Sequence, residues 1–503
     1  MADVFSWLGN EFALKPQIYQ AVAGLICSTV VLFKLLRWME RKRCLAEIEK
    51  GGANRKQALS AMERAVLVFK ESGRSGDTES ILSLSLLELH EQLQEDSLSP
   101  DGVLHAYMEK ALEVTKQLNC LTDFLPECQT QLQDLRQNKK GLLYGIPVSI
   151  KDNVNYKGHD STCGLKTFLQ QPAMKDSVIV QVLKKQGAIP FVKTNIPQSM
   201  LSYECSNPIF GQTVNPHDNK RTPGGSSGGE AALITAGGSI LGIGSDIGGS
   251  IRVPAAFCGI CGFKSTGKRL SKKGVRSSVP GQRTVVAAVG PLAKDVDSLV
   301  LCMKALLCED MFQLDSTVPP IPFNNEVFSS SRRLRIGYYV NDAFWIPNAS
   351  MKRAVMETKQ LLEEAGHTLV PFTPPRAQYA WNELILRGIG ADGGAILMQR
   401  LKGDKIDPIL NDLYMTQKLP KLLKRIISFL LKPFSPRIAE TCRYMSGVGS
   451  IGELWELHAA VEGVSGAVGL PLAVQCVALP WQDELCLRLM REVERVSQKK
   501  RTI

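Results

Sequence analysis

The chain has 503 residues, 44% of them hydrophobic, and a formal charge of +11 at pH 7. That hydrophobic content excludes a wholly disordered chain, and the length admits one large α/β domain or two to three ordinary ones. Thirteen cysteines, odd in number and spread from Cys27 to Cys486, exclude a small secreted disulfide scaffold and fit a reducing compartment.

The first element is apolar. Residues 21–33 read AVAGLICSTVVLF without a charge, a helix of roughly 20 Å against a hydrocarbon layer of about 30 Å. Extension from Ile18 to Leu36 accepts Gln20 and Lys34 near the ends, where the lysine can snorkel, and reaches about 28 Å. Arg37, Arg41, Lys42 and Arg43 follow, whereas the leader holds Asp3, Glu11 and Lys15. The positive-inside rule then puts everything after residue 37 in the cytosol, so residues 1–37 are expected to anchor a single-pass protein. A signal peptide, with its charges ahead of the apolar run, and a buried or interfacial helix are the competing readings.

Residues 38–96 form a helical connector, with Leu59, Met62, Ala65, Val66 and Phe69 at helical spacing. Ser99 as N-cap and Pro100 at the first helical position open the globular part, residues 97–503, with Val103, Leu104, Tyr107, Met108 and Leu112 on one helix face. Strand-like and helix-like runs then alternate at 142–150, 178–189 and 190–194, a pattern that predicts a mainly parallel sheet with helices on its faces. Pro-rich stretches at 318–322 and 373–375 mark loops, the first also fitting an SH3-type ligand.

The chemistry concentrates between Arg221 and Lys264. Two glycine-rich turns, Gly224-Gly-Ser226-Ser227-Gly-Gly229 and Asp246-Ile-Gly-Gly249-Ser250, flank an apolar helix-like stretch and a short strand. Glycine permits close approach and positive φ, so both turns can present hydroxyls to one cavity. The N–H groups of Ile247, Gly248, Gly249 and Ser250 are candidates for an oxyanion hole. Neither turn has the spacing of a P-loop or of a Gly-x-Ser-x-Gly elbow, which disfavours nucleotide binding and the α/β-hydrolase arrangement. Of the histidines, His217 lies near the serine turns and His159 near Lys151, so each is an alternative base. Cys258-Gly-Ile-Cys261 is a lone CxxC, weak evidence for zinc, and no metal is expected.

The segment from Gly224 through Cys261, with its paired serines and Asp-Ile-Gly-Gly-Ser turn, resembles the signature of the amidase-signature hydrolases. Tyr144-Gly-Ile-Pro-Val-Ser-Ile-Lys151-Asp152 is similar to that family's lysine-bearing strand. The resemblance runs from Leu98 to about His458, and residues 156–165, 195–216 and 256–264 are particularly similar to the fatty-acid amide hydrolase branch. It implies a large mixed, mainly parallel twisted sheet surrounded by helices, with Lys151 as base, Ser226 as proton relay and Ser250 as nucleophile. Asp246 and Arg252 would support the turns, and Met200, Leu201 and Tyr203 would line an acyl pocket. Gly390 stands where relatives tend to carry an aromatic channel residue. The implied activity is cleavage of long-chain fatty-acid amides, or esters, without a cofactor. The implied setting is the endoplasmic reticulum or another endomembrane, and a homodimer is compatible with it.

Lysine acts as a base only when neutral, so its pKa must fall from about 10.4 to roughly 7–8, at a cost near 3–4 kcal/mol. Burial of Lys151 on an apolar strand can supply that shift. The alternative is a structural ion pair with Asp152 or Asp246.

Two C-terminal features complete the reading. Residues 419–434, LPKLLKRIISFLLKPF, place Lys421, Lys424, Arg425, Ser428 and Lys432 on one face. Leu422, Leu423, Ile426, Ile427, Leu430 and Leu431 lie on another, the pattern of an interfacial membrane helix. An amphipathic core helix with a solvated basic face is the alternative. The positive charge is thus assigned to a membrane; no aromatic-interleaved basic motif speaks for nucleic acid. After LWELHAAVE at 454–462 the chain passes quickly to Gly469-Leu-Pro-Leu-Ala-Val-Gln-Cys-Val, similar to the family's final strand. The resemblance implies that several tens of the family's residues are absent near 462–469, so a catalytically impaired membrane-bound form is a second functional reading.

Overall fold

Six strands form the central sheet of the computed structural model, which describes residues 16–73, 77–137, 139–341, 346–462 and 474–501, at 16–22, 437, 452, 458–462 and 499–501 by backbone alone. They are β1 (Leu121–Phe124), β2 (Pro147–Lys151), β3 (Ile189–Thr194), β4 (Leu241–Asp246), β5 (Cys261–Gly262) and β6 (Ala288–Ala293), in the spatial order β1-β3-β2-β4-β6-β5. The sheet is less parallel than the alternation predicts. Only β3–β2 and β2–β4 run parallel, while β1–β3, β4–β6 and β6–β5 are antiparallel. The βαβ pattern read between 142 and 194 describes the centre. The flanks are reached by other routes: β1 follows a helix directly, and β6 returns from the irregular excursion after Gly262.

β2, β3 and β6 are buried at every position, as expected of strands covered on both faces. The covering helices include α2 (Pro100–Leu118), α3 (Val178–Lys185), α4 (Gly228–Thr235), α5 (Arg252–Cys258) and α6 (Val296–Leu306). Helix α2 begins as its sequence dictates, with the Gly102 N–H donating to Ser99 Oγ at 3.1 Å. Val103, Leu104, Tyr107 and Met108 join one large core cluster with Val148, Ile150, Phe191, Leu299 and Met303. That cluster also takes Met62, Val66, Leu86, Leu89 and Leu93, so the stretch expected as a connector is helical and helps build the core.

The long first helix, α1 (Pro16–Glu71), is continuous through the expected anchor and beyond it. Among the described residues no helix is long and apolar enough to cross a membrane; the side chains at 18–22, which open the expected span, lie outside the described residues. Leu25, Ile26, Val31 and Phe33 on this helix are exposed.

The C-terminal part is built differently. Strands β7 (Arg335–Tyr338) and β8 (Thr368–Pro371), joined through α7 (Ala349–Glu364), make a separate two-stranded parallel sheet. Short helices follow, among them α8 (Ala395–Arg400), α9 (Lys421–Leu431) and α10 (Pro436–Tyr444), before α11 (Asp483–Arg501) packs back near α6 and α7. The junction at 463–473, where the chain is expected to be shortened, lies outside the described residues. Residues 474–477, the described end of the segment expected as a final strand, form no strand, nor do 478 and 479 after it. Val477 and Leu479 there are exposed.

Candidate functional site

The end of β2 delivers Lys151 beneath the first serine turn. Its Nζ lies 2.7 Å from Ser226 Oγ and donates to the Ser245 carbonyl at 3.1 Å, with the side chain wholly inaccessible. Burial lowers its pKa to about 8, against the pull of Asp246 and other negative groups. Lys151 forms no ion pair among the described residues. The neighbouring Asp152 carboxylate instead accepts from the Thr162 N–H and hydroxyl, both at 2.8 Å, and from the Cys163 N–H at 3.0 Å. The structural ion pair considered for Lys151 is therefore not formed, because each acid has other donors.

The two serine turns meet: the Ser227 N–H donates to the Ser250 carbonyl at 3.0 Å. Ser226, Ser227 and Ser250 are all buried. Glycine at 225 is a steric requirement, since a Cβ there would stand 2.5 Å from the Ser202 carbonyl oxygen and 2.6 Å from that of Glu204. Gly249 adopts a φ of 120°, which side-chain-bearing residues rarely reach.

Asp246 organises the second turn. Its carboxylate accepts from the Gly249 N–H at 2.7 Å and the Ile251 N–H at 2.9 Å, and it holds Arg252 through Nε and Nη2, each at 3.0 Å. Burial opposes ionisation, but Arg252 and these N–H groups win and hold the carboxyl well below the usual carboxylate range. This arrangement changes one expectation: the Gly249 N–H, a candidate oxyanion donor, is committed to Asp246. The N–H groups of Ile247, Gly248 and Ser250 have no hydrogen-bond partner among the described residues. Tyr203, expected in an acyl pocket, reaches the same turn, its hydroxyl donating to the Gly248 carbonyl at 2.6 Å. Met200 and Leu201 pack against an apolar cluster of Cys163, Leu165, Phe168, Leu397, Leu401 and Leu410, which ties them to α8. Gly390 stands next to the backbone of Leu386, Tyr444 and Met445.

The alternative histidine bases are elsewhere. His217 Nε2 is 2.8 Å from the Cys258 carbonyl. His159 bridges Asp123 and Glu127 at 2.7 and 3.1 Å; burial opposes its charge, but the two carboxylates raise its pKa to about 9. Among the described residues no three His, Cys, Asp or Glu side chains are grouped to hold a metal ion.

One residue escaped sequence reasoning. Glu230, in the first turn of α4, is wholly buried and accepts from Ser149 Oγ at 2.5 Å and Thr194 Oγ1 at 2.8 Å. Burial raises its pKa to about 7, the two hydroxyls and Lys151 working against that rise. It is the one charged residue in the stretch GGSSGGEAALITAGGSILGIGS, and a lone carboxylate in so apolar a run was the available signal.

At α9 the structure reverses the usual arrangement. Leu422, Phe429 and Leu430 are 71%, 77% and 60% exposed, whereas Lys424 is 1% exposed, with Nζ 2.9 Å from Gln417 Oε1. Ser428 Oγ likewise donates inward, to the Ala439 carbonyl at 2.6 Å. The expected basic face is thus split. Lys421, Arg425 and Lys432 face out, Lys424 points in, and the reading of α9 as a core helix with a solvated basic face does not hold.

This fold and signature have counterparts. A family model described as Amidase matches residues 102–447, well over half of the chain. The chain belongs to the amidase-signature family. It is 55% identical to the vitamin D3 hydroxylase-associated protein of Gallus gallus over 88% of this chain and 96% of that one. It is 44% identical to fatty-acid amide hydrolase 1 of Sus scrofa, over 96% and 98% of the two chains. A solved fatty acid amide hydrolase structure superposes with a TM-score of 0.69, covering 90% of this chain and 82% of that one at 24% identity. The protein is accordingly an amidase hydrolase.

Proposed function

We propose that the protein cleaves long-chain fatty-acid amides, and related esters, to free fatty acid and amine through an acyl-enzyme on Ser250. The observation that carries this reading is the 2.7 Å approach of the buried Lys151 Nζ to Ser226 Oγ. Neutral Lys151 accepts the Ser226 hydroxyl proton as Ser226 accepts the Ser250 proton, and Ser250 Oγ attacks the substrate carbonyl. The tetrahedral oxyanion is met by N–H groups of the Ile247–Ser250 turn other than that of Gly249. Ser226 returns a proton to the departing amine, and water then releases the acid from Ser250. The likeness to fatty-acid amide hydrolase 1 supports a lipid amide as substrate.

In this reading residues 1–37 anchor the protein and leave the catalytic part in the cytosol, on the endoplasmic reticulum or another endomembrane. The outward apolar face of α9 supports a second contact with the lipid surface through which substrate enters. A fluorophosphonate probe tests the chemistry. Labelling of Ser250 that Ser250→Ala abolishes is expected, and a folded but unlabelled wild type would overturn the reading in favour of a catalytically impaired membrane-bound form. The lack of strand structure at 474–479 and the separate β7–β8 sheet are the observations that favour that second reading. Its cause would be the shortening near 462–469, and the 575 aligned positions with fatty-acid amide hydrolase 1, more than this chain has residues, are consistent with it.

A further inference from the structure

Lys151 is not the only ionisable group sealed behind the serine turns. Three strands cooperate to make a socket for the Glu230 carboxylate. β2 supplies Ser149 Oγ, 2.5 Å from Oε2, and β3 supplies Thr194 Oγ1, 2.8 Å from Oε1. β4 supplies an empty space at Gly242, where any Cβ would overlap Oε2. The socket adjoins the lysine. Ser149 and Lys151 are two residues apart on β2 and so share a face, and Thr194 is the residue opposite Lys151 in the β2–β3 register. Glu230 also follows Ser226 by four residues, in the first turn of the helix that the serine turn opens. Its carboxylate therefore fastens the helix behind Ser226 to the strand that carries Lys151.

The charges around Lys151 make this carboxylate distinctive. Asp246 acts most strongly on the lysine among its neighbours, followed by Cys205, Cys163 and Glu230. Asp246 is neutralised by Arg252 in a two-nitrogen contact, and the two thiols are buried with raised pKa values. Glu230 has only hydroxyl partners, and Lys151 is the one charged group that acts on it.

We infer that Glu230 is a positioning residue for the Lys151–Ser226 contact and that its charge helps to set the pH at which Lys151 becomes available as a base. The inference rests on the reading of Lys151 as the base given above. An ionised Glu230 favours protonated Lys151, so removing the negative charge lets the lysine lose its proton at lower pH. The two groups titrate as a pair, and a rate profile reports the pair's apparent values.

The test is the pH dependence of fluorophosphonate labelling of Ser250 in the full chain. In Glu230→Gln, which keeps the shape of the side chain, the acid limb is expected to move down by about half a pH unit or more. Ser149→Ala strips one donor from the carboxylate, favours its neutral form and is expected to move the limb the same way by less; it also serves if Glu230→Gln does not fold. A merely structural role would lower labelling equally at every pH, so acid limbs unmoved in the folded variants would overturn the inference. A wild type whose Ser250 is not labelled at any pH overturns the reading of Ser250 itself, a distinguishable failure.

Discussion

Two buried lysines mark two ways of building in this molecule. Lys151 ends a strand covered on both faces, beside glycines that touch their neighbours, and its Nζ meets Ser226 Oγ and one carbonyl. Lys424 sits under α9, its Nζ held by Gln417 Oε1, while the apolar residues of the same helix stand outward. Around Lys151 the polar groups are placed by a tightly packed sheet. From Arg335 onward the chain has a detached two-stranded sheet, short helices and exposed Phe429, Phe434, Trp455 and Leu479. A packed sheet fixes the polar groups of the serine site, whereas the later helices leave apolar side chains at the surface, so variants in the two regions are expected to differ in effect.

The largest expected effect breaks the rigid side. Lys151→Ala should slow acylation of Ser250 by about 10²- to 10⁴-fold, the usual worth of a positioned general base. In the wild type the labelling rate should rise with pH through about 8, where Lys151 becomes neutral. A wild-type rate flat from pH 6 to 9 would argue against a titrating lysine.

Next is Asp246→Asn, which leaves the half-buried Arg252 without its buried carboxylate partner and should destabilise the fold by up to about 3 kcal/mol in denaturant titration. The sign follows from the depressed pKa of Asp246. Its contribution is present above its unfolded pKa of about 3.9 and is lost as pH falls through the lower folded value.

Lys151→Met reverses the sign of the stability change. The folded-state pKa of about 8 lies below the unfolded value, so burying the protonated lysine costs up to about 3 kcal/mol. That cost is fully present below pH 8 and vanishes as pH rises past about 10.4. The methionine variant should therefore melt higher at pH 7 while losing labelling, and an unchanged or lower melting temperature would show that burial of Lys151 is not strained.

The smallest effect belongs to the other region. Phe429→Ser should weaken association with lipid vesicles by about five- to tenfold, the worth of about 1–1.5 kcal/mol of apolar contact. Labelling of Ser250 by a soluble probe should be unchanged; a loss of labelling would show that α9 and the serine site are not separate.

Much of the site was legible in residue order. Ser99-Pro100 announced a helix start that the structure adopts, and YGIPVSIK announced the strand that carries Lys151. The glycine turns point to Ser226 and Ser250; the structure sets Ser226 Oγ against Lys151 Nζ and joins the two turns through the Ser227 N–H and the Ser250 carbonyl, contacts read nowhere in the sequence. Glu230 stands out in the sequence only as a lone carboxylate in an apolar run, and its partners on three strands are visible only in the fold. The Gly249 N–H was counted as an oxyanion donor because sequence shows that a turn has N–H groups but not which acceptor takes each one.

Local chemistry, written in the order of residues, determined where helices begin, which strand would be buried, and which lysine and serines could serve a hydrolase. Only the tertiary structure decided the direction of the flanking strands, the inward turn of Lys424 and the pairing of Asp246 with Arg252 rather than with Lys151. Each of those depends on groups distant in the sequence competing for the same partner, and that competition is settled by packing rather than by any residue's own preference.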